Sequence, residues 1–311
     1  MLKIGTVIIL LVLSLIYNPI SGPKVRIFVY PAEPLTTVVE SLRTKDVLVS
    51  PFLMIALSRV LGWERRIRPG YYYIGRTETP LSILLKLRRG GIDTIRVTIP
   101  EGFSLQQITH RLARLGLIDI DTFTRLAHDP EFIGRLGFPG VTTLEGLLFP
   151  DTYIFSIFNS EEEIITRMVK RFKEIIKQLG IRDSLYPILT LASIVEKEAK
   201  IDSERPIIAA IFLKRLRNGR PLESCATVNY ALGGHRRRLR LSDLRIDSPY
   251  NTYRYPGLPP TPICSPGKAS LKAVMNPKET QYLYFVSNGH GGHYFSTTYW
   301  GHLLAKRRKG G

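Results

Sequence analysis

Cysteine is almost absent: Cys225 and Cys264 are the only two in 311 residues. Two cysteines exclude a disulfide framework, and their spacing matches no metal signature. Whether they pair or sit as two small buried thiols stays open from sequence. Acidic residues are scarce as well, 26 against 44 Lys and Arg, which leaves a formal charge of +18. Such a balance draws anionic partners: nucleic acid, acidic lipid head groups or an acidic polymer. The individual basic runs, SRVLGWERRIRPG, HRRRLRLSDLR and KRRKGG, also fit solvated faces and a terminal tail. A hydrophobic content of 44% and a charged content of 23% exclude long-range disorder.

A good cleavage site is also lacking near the N-terminus. MLKIGTVIILLVLSLIYNPI places Lys3 ahead of an apolar run from Ile4 to Tyr17. That run is near the short limit for a spanning helix, roughly 17 residues with its flanks. The nearest small-residue site, Ser21–Gly22, lies between Pro19 and Pro23 and is poor. The segment therefore reads as a retained anchor, single-pass in the cytoplasmic membrane, with Lys3 inside and the remaining chain outside the cytoplasm. On that side nucleic acid is excluded, and an acidic substrate or a membrane surface accounts for the charge.

Past the anchor, VRIFVYPAEPLTTVVESLRTKDVLVSPF reads as strand, turn, amphipathic helix and a further apolar segment. IRVTIPEGFSLQQITHRLARLGLIDIDTF repeats that order, with Pro31 matching Pro100, Val39 matching Ile108 and Phe52 matching Phe123. Between them Gly70 opens an aromatic strand, and Pro80 opens a short helix closed by Gly90–Gly91. From residue 159 the helices lengthen: one is capped by Asn159 or Ser160, a second spans about Ser184 to Ala199, and a third, holding Pro206, ends at Gly219. NTYRYPGLPPTPICSPG is loop, and QYLYFVSNGHGGHYFS reads as two strands around a Gly-rich hairpin.

LTLASIVEKEAK closes its helix with two carboxylates. At about 100° per residue, Glu198 shares an apolar stripe with Leu191, Ile194 and Val195, while Glu196 lies near Ser193 and four residues before Lys200. A solvated ion pair with Lys200 is expected for Glu196. Desolvation disfavours the charged form, so a carboxyl on the apolar face keeps its proton and is placed to act as a general acid. Pairing with an arginine across a helix interface is the alternative for Glu198.

LEGLLFPDTY, LASIVEKEA, ERPIIAAIFLKRL, TVNYALG, SPYNTYRYPGLPPTPICSPG and YLYFVSNGHGGHYF occur in one order. Together they resemble the MltG (YceG-like) family of endolytic murein transglycosylases. The likeness runs from the anchor to near the last strand, and TIPEG fits that family's LysM-like module. The resemblance implies cleavage inside nascent peptidoglycan strands at the MurNAc–GlcNAc bond, leaving 1,6-anhydro ends and terminating elongation. It carries the acid/base role to Glu198 and requires no cofactor. The family's frequent LQSDPTV stands here as LESCATV, so Glu223, Cys225 and Ala226 depart from it while Thr227 does not.

The expected architecture is α+β: an anchor (1–21), a βα module (22–92), a LysM-like module with linker (93–158), a helical catalytic domain with long loops and a short β-hairpin (159–305), and a basic tail (306–311). Candidate substrate-binding residues are Glu145, Asp151, Thr227, Tyr230, Asn251, Tyr253 and His293. Glu145 and Asp151 fit salt bridging equally well, and Asn251 and Tyr253 fit loop-pinning equally well. His290 and His293 lack a third ligand, so no metal is expected. Arg205 and Arg215 suit either acidic peptide stems or a helix surface. Peptidoglycan strands are the expected partner, with a synthase of the same machinery a possible second. The competing readings are a non-catalytic peptidoglycan-binding scaffold and a hydrolytic muramidase.

Overall fold

The computed structural model describes Val12 and residues 24–309, apart from 49, 92, 183 and 235–238. The expected anchor, 1–21, thus lies outside the described residues but for Val12. No helix among the described residues is long and apolar enough to cross a membrane. The chain forms two compact units: one takes residues up to Ile95 together with Ser156–Phe158, the other takes Arg96–Phe155 and everything from Asn159.

In the first unit β1 (Val25–Val29) pairs antiparallel with β2 (Gly70–Ile74), and α1 (Leu35–Thr44), α2 (Pro51–Val60) and α3 (Pro80–Arg89) complete it. The register sets Ile27 against Tyr72 and Val25 against Ile74. Alternate residues share one face of a strand, so Ile27, Val29, Tyr72 and Ile74 all enter one core with Val39, Leu42, Met54 and Leu84. Gly70 and Pro80 open a strand and a helix as expected, and Gly90 caps α3 at φ 110°, a conformation open to glycine.

The second unit repeats the order. β3 (Thr94–Thr98) is followed by α4 (Leu105–Arg114), α5 (Ile120–Ala127) and α6 (Pro130–Arg135), and its partner β4 (Thr152–Ser156) comes only after those helices. Val39 and Ile108 occupy equivalent buried places. Phe52 and Phe123 do not: Phe52 is 79% exposed and Phe123 is fully buried. Ser50 caps α2 through the Leu53 amide, and the helix so started turns Leu53 and Met54 inward instead.

Longer helices follow. Ser160 and Glu163 form a capping box on α7 (Glu161–Gln178). α8 (Leu185–Glu198) is the centre of the unit, packed by α9 (Arg205–Arg217), α10 (Cys225–Ala231) and α11 (Lys268–Met275). Every residue from Leu189 to Val195 is buried, so the middle of this helix is enclosed on all sides, while Pro187 and Lys197 nearer its ends are exposed. The loop after Asn251 is irregular as expected, and β5 (Tyr284–Ser287) pairs antiparallel with β6 (His293–Ser296). Residues 306–309 are not a free tail, because α12 (Tyr299–Lys309) carries them, anchored by buried Ala305.

The loops around α8 are held by close backbone approach. Gly146 has φ 81°, and a Cβ there would stand 2.6 Å from the Pro262 Cβ. Gly146→Ala is therefore expected to cost roughly 2–4 kcal/mol. Denaturant unfolding would show it as a lowered midpoint with an unchanged slope.

Candidate active site

The two carboxylates at the end of α8 meet different fates. Glu196 faces inward and is spent on structure. Its Oε1 lies 3.3 Å from the Arg205 guanidinium, and its Oε2 accepts from the Gly267 N–H at 3.0 Å and from Ser270 Oγ at 2.8 Å. The expected solvated pair with Lys200 is corrected: the Glu196 side chain is only 7% exposed because Arg205, itself buried, reaches across from α9. Arg205 also holds Asp202 and Ser270, and Arg215 holds Glu223 and the Leu222 carbonyl. Both arginines are interior fasteners, which leaves neither for peptide stems.

Among the described residues no arginine pairs with Glu198. Its Oε1 accepts from Ser224 Oγ at 2.5 Å, and the Ala226 N–H also faces the carboxyl. Burial raises its pKa; the Ser224 hydrogen bond, positive charge on His293 and the Ala226 amide oppose that rise. Its position as the last residue of α8 adds to the cost of ionisation, since the helix dipole is negative there.

Ser224 is held in place by several contacts. It caps α10 by accepting from the Ala226 N–H at 3.2 Å, and its own N–H donates to Thr252 Oγ1 at 3.0 Å. Thr227 Oγ1 donates to the Ser224 carbonyl and meets Thr252 Oγ1 at 2.9 Å. Glu223 sits at φ 53°, rare for a side-chain-bearing residue, and is held there by Arg215 and the Thr252 carbonyl. Cys225 and Tyr253 meet at 3.1 Å, sulfur to hydroxyl, close enough to Glu198 for its charge to act on both. His293 is fixed by Glu204, which accepts from its backbone N–H at 3.0 Å and lies 2.6 Å from its Nδ1.

Beside this cluster lies a cavity of about 340 Å³, lined by Ser104, Gln107, Glu145, Lys197, Ala226 and Tyr230 among others. Glu198 is not in its wall; Ala226 links the two. Glu145 accepts from the Leu105 N–H, at the start of α4, and from the Tyr230 hydroxyl at 3.0 Å. Burial pushes the Glu145 carboxyl up to about 7, against the pull of those donors.

Tyr253 and His293 thus gather at Glu198, and Glu145 and Tyr230 line the adjoining cavity. The remaining candidates have other duties. Asp151 pairs with Arg171 at 2.7 Å. Thr227 and Asn251 are fully buried, and the Asn251 amide is spent on the Leu244 and Ile246 carbonyls. Sequence reasoning missed Ser224 and Glu204. Ser224 is the serine that LESCATV keeps from LQSDPTV, and its position before a short helix is a capping signal. Glu204 opens the ERPIIAAIFLKRL motif, but nothing in its spacing marks it as the partner of His293. Both thiols are free; Cys264 is buried against the Ser193 carbonyl. Among the described residues, no group of three His, Cys, Asp or Glu side chains gathers as metal ligands would.

The YceG-like family matches residues 27–308. An endolytic murein transglycosylase of Bacillus subtilis (strain 168) is 34% identical over 261 residues, which cover 77% of this chain and 72% of that relative. One of Streptococcus pneumoniae (strain D39) is 29% identical over 259 residues, 71% of this chain; the chain spans about half of that relative, 47%. A crystal structure of a YceG-like protein from Listeria monocytogenes superposes with a TM-score of 0.62 at 30% identity, covering 91% of this chain and 99% of that one.

Two stability measurements check this division of labour. Glu196→Gln should destabilise by roughly 2–3 kcal/mol, because it breaks a buried pair and removes the buried carboxylate that faces Arg205. For Glu145 the folded state binds the proton more tightly than the unfolded chain, so its contribution is present at low pH and lost as pH rises from 4.5 to about 7. Glu145→Gln should remove that fall, worth on the order of 3 kcal/mol, from the pH profile of unfolding.

Proposed function

This chain belongs to the YceG-like family, and from that premise we propose that it is a peptidoglycan lytic transglycosylase with Glu198 as its acid/base. The observation that supports the assignment is the contrast at the end of α8: Glu196 pairs with Arg205, whereas Glu198 faces a hydroxyl and an amide and burial raises its pKa.

The chemistry needs one such group. Glu198 donates its proton to the oxygen joining N-acetylmuramic acid to N-acetylglucosamine, and positive charge develops at the muramic anomeric carbon. The muramic 6-hydroxyl then closes on that carbon, and the carboxylate of Glu198 takes the hydroxyl proton. The product is a 1,6-anhydro end, and no water or cofactor is consumed. An internal nucleophile already sits next to its target, so the second carboxylate of a hydrolytic glycosidase is not needed. Ser224 aims the carboxyl throughout: it donates to the ionised form, and its rigid seat on α10 restores the same position after reprotonation. Tyr253 and His293 flank the sugar being cut, while Glu145 and Tyr230 bind along the adjoining cavity.

The same reading places residues 1–21 in the cytoplasmic membrane with the catalytic unit outside, supported by Lys3 and the apolar run after it. It keeps residues 93–158 as a LysM-like module, supported by TIPEG and the βα order. Cutting nascent strands there terminates their elongation and brings the protein next to a strand synthase.

Mass spectrometry of digested glycan strands tests the activity. The wild-type chain should yield anhydro ends, and Glu198→Gln should lower their rate by about a hundredfold or more while leaving the thermal midpoint intact. Reducing ends would indicate a muramidase instead, and unaltered strands a scaffold. Full activity of the variant would remove Glu198 from the chemistry.

A further inference from the structure

The second unit carries a larger groove that the reaction does not use. Gln106 and Gln107, on the exposed face of α4, line the cavity beside Glu198 and also a groove of about 720 Å³. Beyond those amides the groove is walled by Arg96, His110, Arg111 and Arg114 over apolar Val97 and Phe103, and no acidic residue lines it. Several arginines are paired with carboxylates, Arg43 with Glu40, Arg59 with Glu64 and Arg171 with Asp151. Among the described residues, Arg96, Arg111 and Arg114 have no carboxylate within 4.0 Å. Arg111 is oriented as well, its Nε donating to the Thr98 carbonyl at 2.6 Å. A guanidinium held by one N–H keeps its others for a ligand.

We propose that this groove binds the carboxylates of stem peptides on the glycan strand whose sugars occupy the cavity beside Glu198. The proposal rests on the reading of the protein as a peptidoglycan enzyme and adds the part of the substrate that it recognises. Three features favour a peptide. Gln106 offers a whole amide to a peptide backbone, and Gln107, whose Oε1 accepts the Ser104 N–H at 3.0 Å, offers its NH2 group. Unpaired arginines make strong, directional contacts with carboxylates. The concave shape with an apolar floor suits a chain carrying methyl and methylene groups better than a flat lipid surface.

Binding separates this idea from the activity. Full-length protein carrying Glu198→Gln, which leaves strands uncut, is titrated with fluorescent glycan strands that bear stem peptides and with the same strands stripped by an amidase. Tighter binding of peptide-bearing strands, by about tenfold for two exposed ion pairs, is the expected result. Arg96→Gln with Arg114→Gln should erase that preference, and Arg96→Lys with Arg114→Lys should retain most of it. Equal affinity for both strands overturns the proposal, as does a double glutamine variant that keeps the preference. Loss of binding to phosphatidylglycerol vesicles in that variant, with the strand preference intact, would assign the groove to lipid and overturn it too. A wild-type chain that makes no anhydro ends but still prefers peptide-bearing strands sinks the catalytic reading and leaves the groove standing.

Discussion

The ion pair between Glu196 and Arg205 is the constraint on which the site depends. It fastens the end of α8 to the start of α9, and Gly267 and Ser270 close the same knot from the far side. A buried pair of this kind contributes little net stability, because desolvation cancels most of its attraction. Its value here is positional. With Arg205 taken by Glu196, the second carboxylate of the helix end has hydroxyl and amide donors and no arginine among its described contacts. Which of two neighbouring glutamates Arg205 reaches decides which carboxyl stays free for the acid/base role proposed above.

Much of this was legible in the chain. Helical periodicity placed Glu198 on the stripe of Leu191, Ile194 and Val195, and all three are buried. Capping residues and glycines placed β2, α3, α7 and the β5–β6 hairpin, because those signals act within a few residues. What was not legible is long-range. The wheel set Glu196 on a polar side, but Arg205 from α9 and Gly267 and Ser270 at the start of α11 cover that carboxyl. Asn251 fitted a sugar ligand and a loop pin equally well, and the carbonyls that its amide meets are ones that only the folded loop brings near. The helices α5, α6, α10 and α11 are short, and sequences of that length carry too little periodicity to announce themselves.

The loop from Leu222 to Thr227 ties these parts together. Polar contacts define it: Arg215 on one side, Thr252 on the other, and a left-handed Glu223 between them. A non-glycine residue in that conformation persists only where its surroundings over-determine it. The result is a serine hydroxyl delivered to a carboxyl at 2.5 Å without a long, floppy side chain taking part.

The strand order has a kinetic meaning. β1 cannot meet β2, nor β3 its partner β4, until the intervening helices have been made and folded back. Each small sheet therefore closes late and must first overcome the entropy of a long loop, whereas the hairpin of β5 and β6 forms across a few residues. During synthesis the first unit stays open-edged until Ile74 has emerged, and the second until Ser156 has. In that interval their exposed strand edges are what a chaperone would have to guard.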